Sequence, residues 1–531
     1  MFRVFTLIII FLFVNVEKYT YASNSSEELG SIDFSTSVSG TAQTHFLHGV
    51  AALHSFWYTE ALKAFEQSIV IDPDFAMGYW GLAMAHNHPL WEDQDKKSAK
   101  EALAKISGSS KLTQREWDYI HAARLLFGDG EKRMRDKAYS RAMKNIYHKY
   151  PDDLEAACFY SLSILGVSIN TIDKLRLQVE AGSIALDVFQ KNPNHPCAAH
   201  YAIHAFDSPK LARLALPSAK RYAKIAPASH HAQHMPAHIF VQLGMWSEAV
   251  TSNINGWHTS VEWVKKQNLP LSERDYHSLH WLHYAYLQQG RLKKAESIFN
   301  IQQQDMRNGI NSKSNFRAGK YYHRMLSASV IETEQWELIE KFPPPEGWQP
   351  KIFSKAAYHF ILGFSAANQG KIEIAEEHLS YLRALREKGF RENYFKRIEN
   401  LEVWELEIQA AIKLYQKDFE TAIKLAKKAT LIEEKLPAPS GPPRILKPSY
   451  ELLGEVYLKA NKPVQAQEKF YISLLRHPNR IRSLVGIARA SNANRNRETA
   501  IESYQQLVHQ LKNASAELPE LKEARKFLKG K

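Results

Sequence analysis

Between Lys447 and Arg480 the chain sets Tyr450, Leu453, Gly454, Tyr457, Ala466, Phe470 and Pro478 at the spacing of one helix–turn–helix unit. The same frame appears in TAQTHFLHGVAALHSFWYTEALKAFEQSIVIDPDF (41–75), with Gly49, Ala61, Phe65 and Pro73 at the matching places. Small residues let two helices approach closely, the aromatic side chain fills the gap between hairpins, and the proline ends the second helix. A single hairpin of this kind cannot bury its apolar face, so recurrence of the frame requires a stacked array.

The frame returns with irregular spacing at Ala295 and Phe299, at Gly363 and Ala375, at Ala422, and in a closing unit from Ile481 with Ala488, Ala500 and Tyr504. Pro151, Pro193 and Pro227 read as further repeat ends. The array comes to about ten hairpins, and the expected fold class is all-α, an α-solenoid or superhelix. The boundaries expected are a signal peptide over 1–22, a flexible leader over 23–40, an N-terminal repeat block over 41–340, a proline-rich linker over 341–351 and a C-terminal block over 352–531. A second proline-rich stretch, KLPAPSGPPRILKP (435–448), reads as a long loop within or between repeats.

Arg3 precedes an apolar run from Phe5 to Val14 and the sequence Thr20-Tyr21-Ala22, the pattern of an export signal. The run is short of the roughly 18–20 residues a membrane span needs. After signal cleavage the chain is therefore expected to be periplasmic or secreted and not an integral membrane protein. Two cysteines, Cys158 and Cys197, do not make a disulfide framework, although an oxidising compartment permits one bridge. The net charge of +13 attracts anionic partners, but basic residues are interspersed with acids along the helices rather than gathered in a stripe, which argues against nucleic acid. No serine nucleophile elbow, phosphate-binding glycine loop or HExxH zinc motif occurs, so hydrolase and kinase readings gain no support.

The chain resembles the tetratricopeptide (TPR) repeat superfamily over about residues 42–510. GLAMAHNHPLW (81–91), HPCAAHYAIHAFD (195–207) and HHAQHMPAHIFVQLGMW (230–246) are similar to segments of a functionally obscure group of exported bacterial TPR proteins. The resemblance implies a superhelix with a concave ligand-binding face and, in general, an interaction module; it implies no reaction.

The histidines fall into repeat register. In repeats starting at Pro196, His230 and Tyr276, position 2 is Cys197, His231 and His277, position 5 is His200, His234 and His280, and position 9 is His204, His238 and Tyr284. These positions share one face of the first helix of each hairpin. Two histidines four apart on a helix can ligate one cation, and a third from the next helix completes an open site. His200, His204, His234, His238 and His280 are the metal-ligand candidates, with zinc, copper or iron as the ions and with His280, His231 or Cys197 as the alternatives to complete either pair; Cys197, His231, His277, Trp80, Met84 and Asp207 are expected to line the groove. Asp207, Asp275, Glu92 and Asp93 are candidates to orient an imidazole. Pro236 sits inside the expected first helix of its repeat and threatens the pairing of His234 with His238.

Two functions stand side by side. One is an exported scaffold whose groove binds a peptide, polymer or protein partner. The other is a metal-binding protein or metal-dependent enzyme with a histidine-ligated site. Whether the chain is an enzyme is left open.

Overall fold

The computed structural model describes residues 29–106, 112–169, 171–308, 315–344, 348, 350–392 and 398–530. The expected export signal lies outside the described residues. Helices dominate, and the β-structure among the described residues is the antiparallel pair Asn87–His88 with Asp93–Gln94. No described helix is long and apolar enough to cross a membrane.

Successive helices pack as antiparallel hairpins, beginning with Thr41–His54 against Tyr58–Ile71, and the chain forms an α-solenoid of TPR-type repeats. The packing rule is visible at both strong repeats. A Cβ built on Gly49 or Gly81 would overlap the ring of Phe65, and one on Gly454 or Gly486 would overlap Phe470. Each phenylalanine thus wedges between the first helix of its own hairpin and the first helix of the next, where only glycine leaves room.

The leader is a correction to the expected boundaries. From Leu29 onward it is not free: Leu29 and Phe34 are fully buried, and the Phe34 ring lies 5.6 Å from Trp80 and 4.9 Å from Tyr119. Two apolar side chains in an otherwise polar, aperiodic stretch are enough to dock it, because burying each removes a large apolar area from water.

The superhelix also closes on itself. Arg480 donates to Glu451 Oε2 at 2.7 Å and to the Tyr284 hydroxyl at 2.9 Å and pairs with Glu332, all buried. Trp246 Nε1 donates to the Asn479 carbonyl at 3.1 Å. One buried apolar cluster runs from Leu29 to Ala490, across the 341–351 stretch. The second proline-rich stretch turns inward, where Gln242 donates to the Pro439 carbonyl at 2.7 Å and a Cβ on Gly441 would strike the Trp281 ring.

Candidate metal centre

Three hairpins supply the site. The helix Pro196–Phe206 begins at a proline whose missing N–H costs nothing in a first turn and carries His200 and His204 on one face. The next repeat is split into His230–His234 and Pro236–Gln242. Pro236 interrupts the backbone ladder, yet Met235 keeps right-handed helical angles (φ −53°, ψ −35°), so the four-residue spacing survives as a shared face. The third helix, Tyr276–Gln288, is capped by Asp275, whose carboxylate accepts the backbone N–H groups of His277 and Ser278.

The side chains converge in two groups. His200, His204 and His231 form one, and His234, His238 and His277 the other; within each, the ligand atoms lie within 4.8 Å of one another. His200 Nε2 is 3.0 Å from His204 Nε2 and 3.1 Å from His231 Nε2, and His234 Nε2 is 3.2 Å from His238 Nε2. Each group takes positions 5 and 9 of one repeat and position 2 of the next. The groups adjoin, with the His204 and His238 ring centroids 6.1 Å apart.

The opposite edges of the rings determine what these nitrogens can do. His200 Nδ1 is 2.6 Å from the His54 carbonyl, an acceptor only, so Nδ1 carries the proton and the neutral ring leaves Nε2 bare. His238 Nδ1 donates to Asp207 Oδ2 at 2.7 Å. His234 Nδ1 donates to Asn253 Oδ1 at 2.7 Å, and the same amide's nitrogen donates to the Ala249 carbonyl, which fixes the amide's orientation. His234 Nε2 is therefore bare in the neutral ring and meets His238 Nε2 at hydrogen-bond distance. Burial, then His238, holds His234 down at about 4, and burial with His204 and His231 holds His200 well below the usual imidazole range, so both rings keep a free lone pair at neutral pH. The spacing suits a cation: nitrogens about 2.0–2.1 Å from a tetrahedral ion stand about 3.3 Å apart, close to the separations observed.

Aromatic rings wall each group. Phe56, held at φ 54°, lies 4.3 Å from His200 and 5.4 Å from His204 between ring centroids. Trp281 lies 4.5 Å from His238, 5.0 Å from His234 and 5.3 Å from His277. His200, His234 and His238 are buried, while His204, His231 and His277 keep partial exposure, so each group has one buried edge and one edge toward solvent.

Several expected site residues fall elsewhere. His280 joins neither group; it turns toward Tyr321, 5.5 Å between centroids, because position 5 of its helix has no position 9 histidine beside it. Cys197 does not line the groove: it is fully buried and forms a disulfide with Cys158, Cα to Cα 6.0 Å. That bridge obeys the same register, position 5 of one repeat against position 2 of the next. Trp80 is core, 1% exposed and edge-on to Phe159. Met84 is buried against a small cavity beside Phe56 and Tyr139 rather than in an open groove. His231, one of the alternatives for a third ligand, and His277, expected as a groove residue, complete the two groups. Asp207 orients His238, while Asp275 stands 3.5 Å from His230 Nδ1. Asp93 pairs with the non-site His88 at 3.1 Å.

Behind the first group lies a buried relay that the sequence reading did not reach. Glu155 Oε2 is 2.6 Å from His54 Nε2 and Glu155 Oε1 is 2.9 Å from His195 Nε2, all three at most 1% exposed. His54 in turn holds Tyr201 through Nδ1 at 2.8 Å and His200 through its carbonyl. The Phe56 and Trp281 walls and the Asn253 anchor also went unread, since no spacing signal ties them to the histidines.

No protein-family profile and no curated protein matches the chain. Among solved structures, the APC/C hetero-tetramer Cut9–Hcn1 is similar at 14% identity over 93% of this chain and 96% of that one, with a TM-score of 0.31. Human IFIT1 dimer with PPP-AAAA is similar at 13% identity over 88% and 90%, TM-score 0.34. Yeast Tom70 is similar at 11% over 92% and 88%, TM-score 0.28. Likeness at this level has no bearing on function, and the repeat fold rests on the hairpins and their glycine–phenylalanine wedges.

Proposed function

We propose that this α-solenoid is a metal-binding protein carrying two first-row transition ions, one on His200, His204 and His231 and one on His234, His238 and His277. The observation that carries the reading is the meeting of the His234 and His238 Nε2 atoms at 3.2 Å, each ring turned by an acceptor on its far edge. All-imidazole ligation without thiolate favours zinc or copper, and iron less so because the groups lack a ligating carboxylate. Three protein ligands leave a fourth position for water or substrate, the arrangement of catalytic rather than structural sites. Metal-dependent chemistry and metal carriage both fit that opening.

The repeat scaffold is the kind of fold used for protein interaction, and a peptide or protein partner is compatible with the metal centre. The amino-terminal pattern of Arg3 and the apolar run Phe5–Val14 supports a periplasmic or secreted location, where zinc and copper are available ligand partners.

Elemental analysis of untagged protein tests the reading. About two equivalents of zinc or copper are expected in the wild type, about one in H204A or H238A, and none in the double variant. A wild type that stays metal-free after incubation with both ions overturns it.

A further inference from the structure

A cavity with about 480 Å³ of space, part of it open to solvent, lies beside the first histidine group. One face of the helix Leu154–Val167 forms its floor: Phe159, Leu162, Ser163 and Gly166 follow one another at helical spacing, and the last two are small enough to leave room. Leu53, Met84 and Leu126 come in from neighbouring helices, and the rings of Phe56, Tyr58 and Tyr139 complete the wall. Phe56 is shared with the histidines, its ring centroid 4.3 Å from that of His200. It is also the one apolar side chain among the described non-glycine residues with positive φ, a conformation that costs a bulky residue free energy and persists only where the surroundings hold it.

The lining specifies what the cavity takes. Its ionised group, Asp136, is matched by Lys132 Nζ at 2.7 Å, so an entering ion of either sign would leave water without a partner, and an anion would also meet that carboxylate. Ser163 Oγ donates to the Tyr160 carbonyl at 2.7 Å, and Asn87 Oδ1 accepts from Gln94 Nε2 at 2.8 Å. The Tyr58 hydroxyl differs: it is buried with no partner, and burial keeps it protonated well above the ordinary phenol range. Buried hydroxyls are nearly always hydrogen-bonded, so this one marks where a ligand oxygen accepts a proton.

We infer that this cavity binds a small uncharged molecule with a one-ring hydrocarbon body and one oxygen acceptor, the body enclosed by Phe56, Met84, Phe159 and Leu162 and the oxygen accepting the Tyr58 O–H. Aromatic walls pack well on a flat ring, and the flexible thioether of Met84 adapts to its edge. Apolar cavities of this kind admit molecules the size of benzene. Among the described residues no histidine lines the cavity, so binding does not rest on the metal reading. An occupant nevertheless packs on Phe56, the ring that walls the first histidine group.

Isothermal titration calorimetry of the full chain tests the site with acetophenone, which carries a ring and a carbonyl oxygen. Toluene lacks the oxygen, and benzoate carries a charge. One acetophenone per chain is expected, with benzoate about tenfold weaker or more. Y58F, which keeps the ring, is expected to weaken acetophenone about fivefold, the usual loss for one hydrogen bond, and to leave toluene unmoved. L162W, on a partly exposed part of the wall, fills the cavity and is expected to bind neither. H238A, in the other histidine group, is expected to bind acetophenone as the wild type does. No acetophenone binding up to about 10 mM overturns the proposal, as does binding unmoved in both Y58F and folded L162W. Benzoate as tight as acetophenone overturns the uncharged assignment. Y58F weakening acetophenone and toluene alike overturns the assignment of the oxygen to Tyr58. A wild type that holds no zinc or copper yet binds acetophenone overturns only the metal reading, and one that holds metal but not acetophenone overturns only this proposal.

Discussion

His231 Nε2 lies 3.1 Å from His200 Nε2, across the gap between two successive hairpins. The contact joins position 2 of one repeat to position 5 of the repeat before it, and the His277–His234 pair, 4.6 Å between ring centroids, repeats it one hairpin later.

That register separates His231 and His277 from His280. H231A or H277A is expected to lose about one of two metal equivalents, whereas H280A retains both, because His280 ring nitrogens join neither group. Metal content measured after exhaustive dialysis checks this. Loss of metal in H280A with retention in H277A would assign the site to the wrong helix face.

Asp207 accepts the His238 Nδ1 proton at 2.7 Å and so would act on the proposed second metal through that ring. D207N is expected to leave the fold and the first site intact and to weaken the second site by about 10–100-fold, the usual cost of losing a carboxylate behind a ligating histidine. Competition titration with a chromophoric chelator measures it. An unchanged second-site affinity would show that the His238 ring needs no anchor.

Acid should destabilise the metal-free protein well above the carboxylate range. Burial holds His283 down at about 3, where its Nε2 meets Ser329 Oγ at 2.9 Å and its ring packs on Phe299. A folded-state pKa below the unfolded value of about 6.5 means the unfolded chain binds more protons between the two. Stability is therefore full above about pH 6.5 and falls toward pH 3, by up to about 1.4 kcal/mol per pH unit for each such histidine. Urea unfolding at pH 7, 6 and 5 should show the slope, and H283Q should flatten it by about one proton. A slope identical in both proteins would mean His283 titrates normally.

Glu155 holds two buried imidazoles at once. Burial alone would raise its pKa, but His54 and His195 outweigh it and bring the carboxyl to about 2. E155Q removes the carboxylate that both rings face and, with burial favouring the neutral His54 ring, is expected to cost about 1–3 kcal/mol of stability, the range for leaving a buried hydrogen-bonding group unsatisfied. Because the His54 carbonyl anchors His200, first-site metal affinity should fall as well. Thermal unfolding with and without zinc separates the two effects, and a melting temperature within about 2 °C of wild type would show that the relay bears no weight.

Fold class was legible because its signal is local. Gly49 with Phe65 and Gly454 with Phe470 sit within single hairpins, and the steric reason for each pair can be stated from one repeat's sequence. The docking of Phe34 onto Trp80 and the reach of Arg480 to Tyr284 were not legible, since each joins segments whose proximity depends on how far the superhelix curls.

For the histidines, sequence by itself determined that positions 2, 5 and 9 lie on one helix face, a consequence of the 3.6-residue helical period. It could not determine which face meets which, because that depends on the rotation and offset between adjacent hairpins, set by side-chain packing along the whole array. Tertiary structure decided that position 2 advances onto positions 5 and 9 of the preceding repeat. The same offset gathers His231 with His200 and His204, gathers His277 with His234 and His238, closes the Cys158–Cys197 bridge, and leaves His280 to a different pocket.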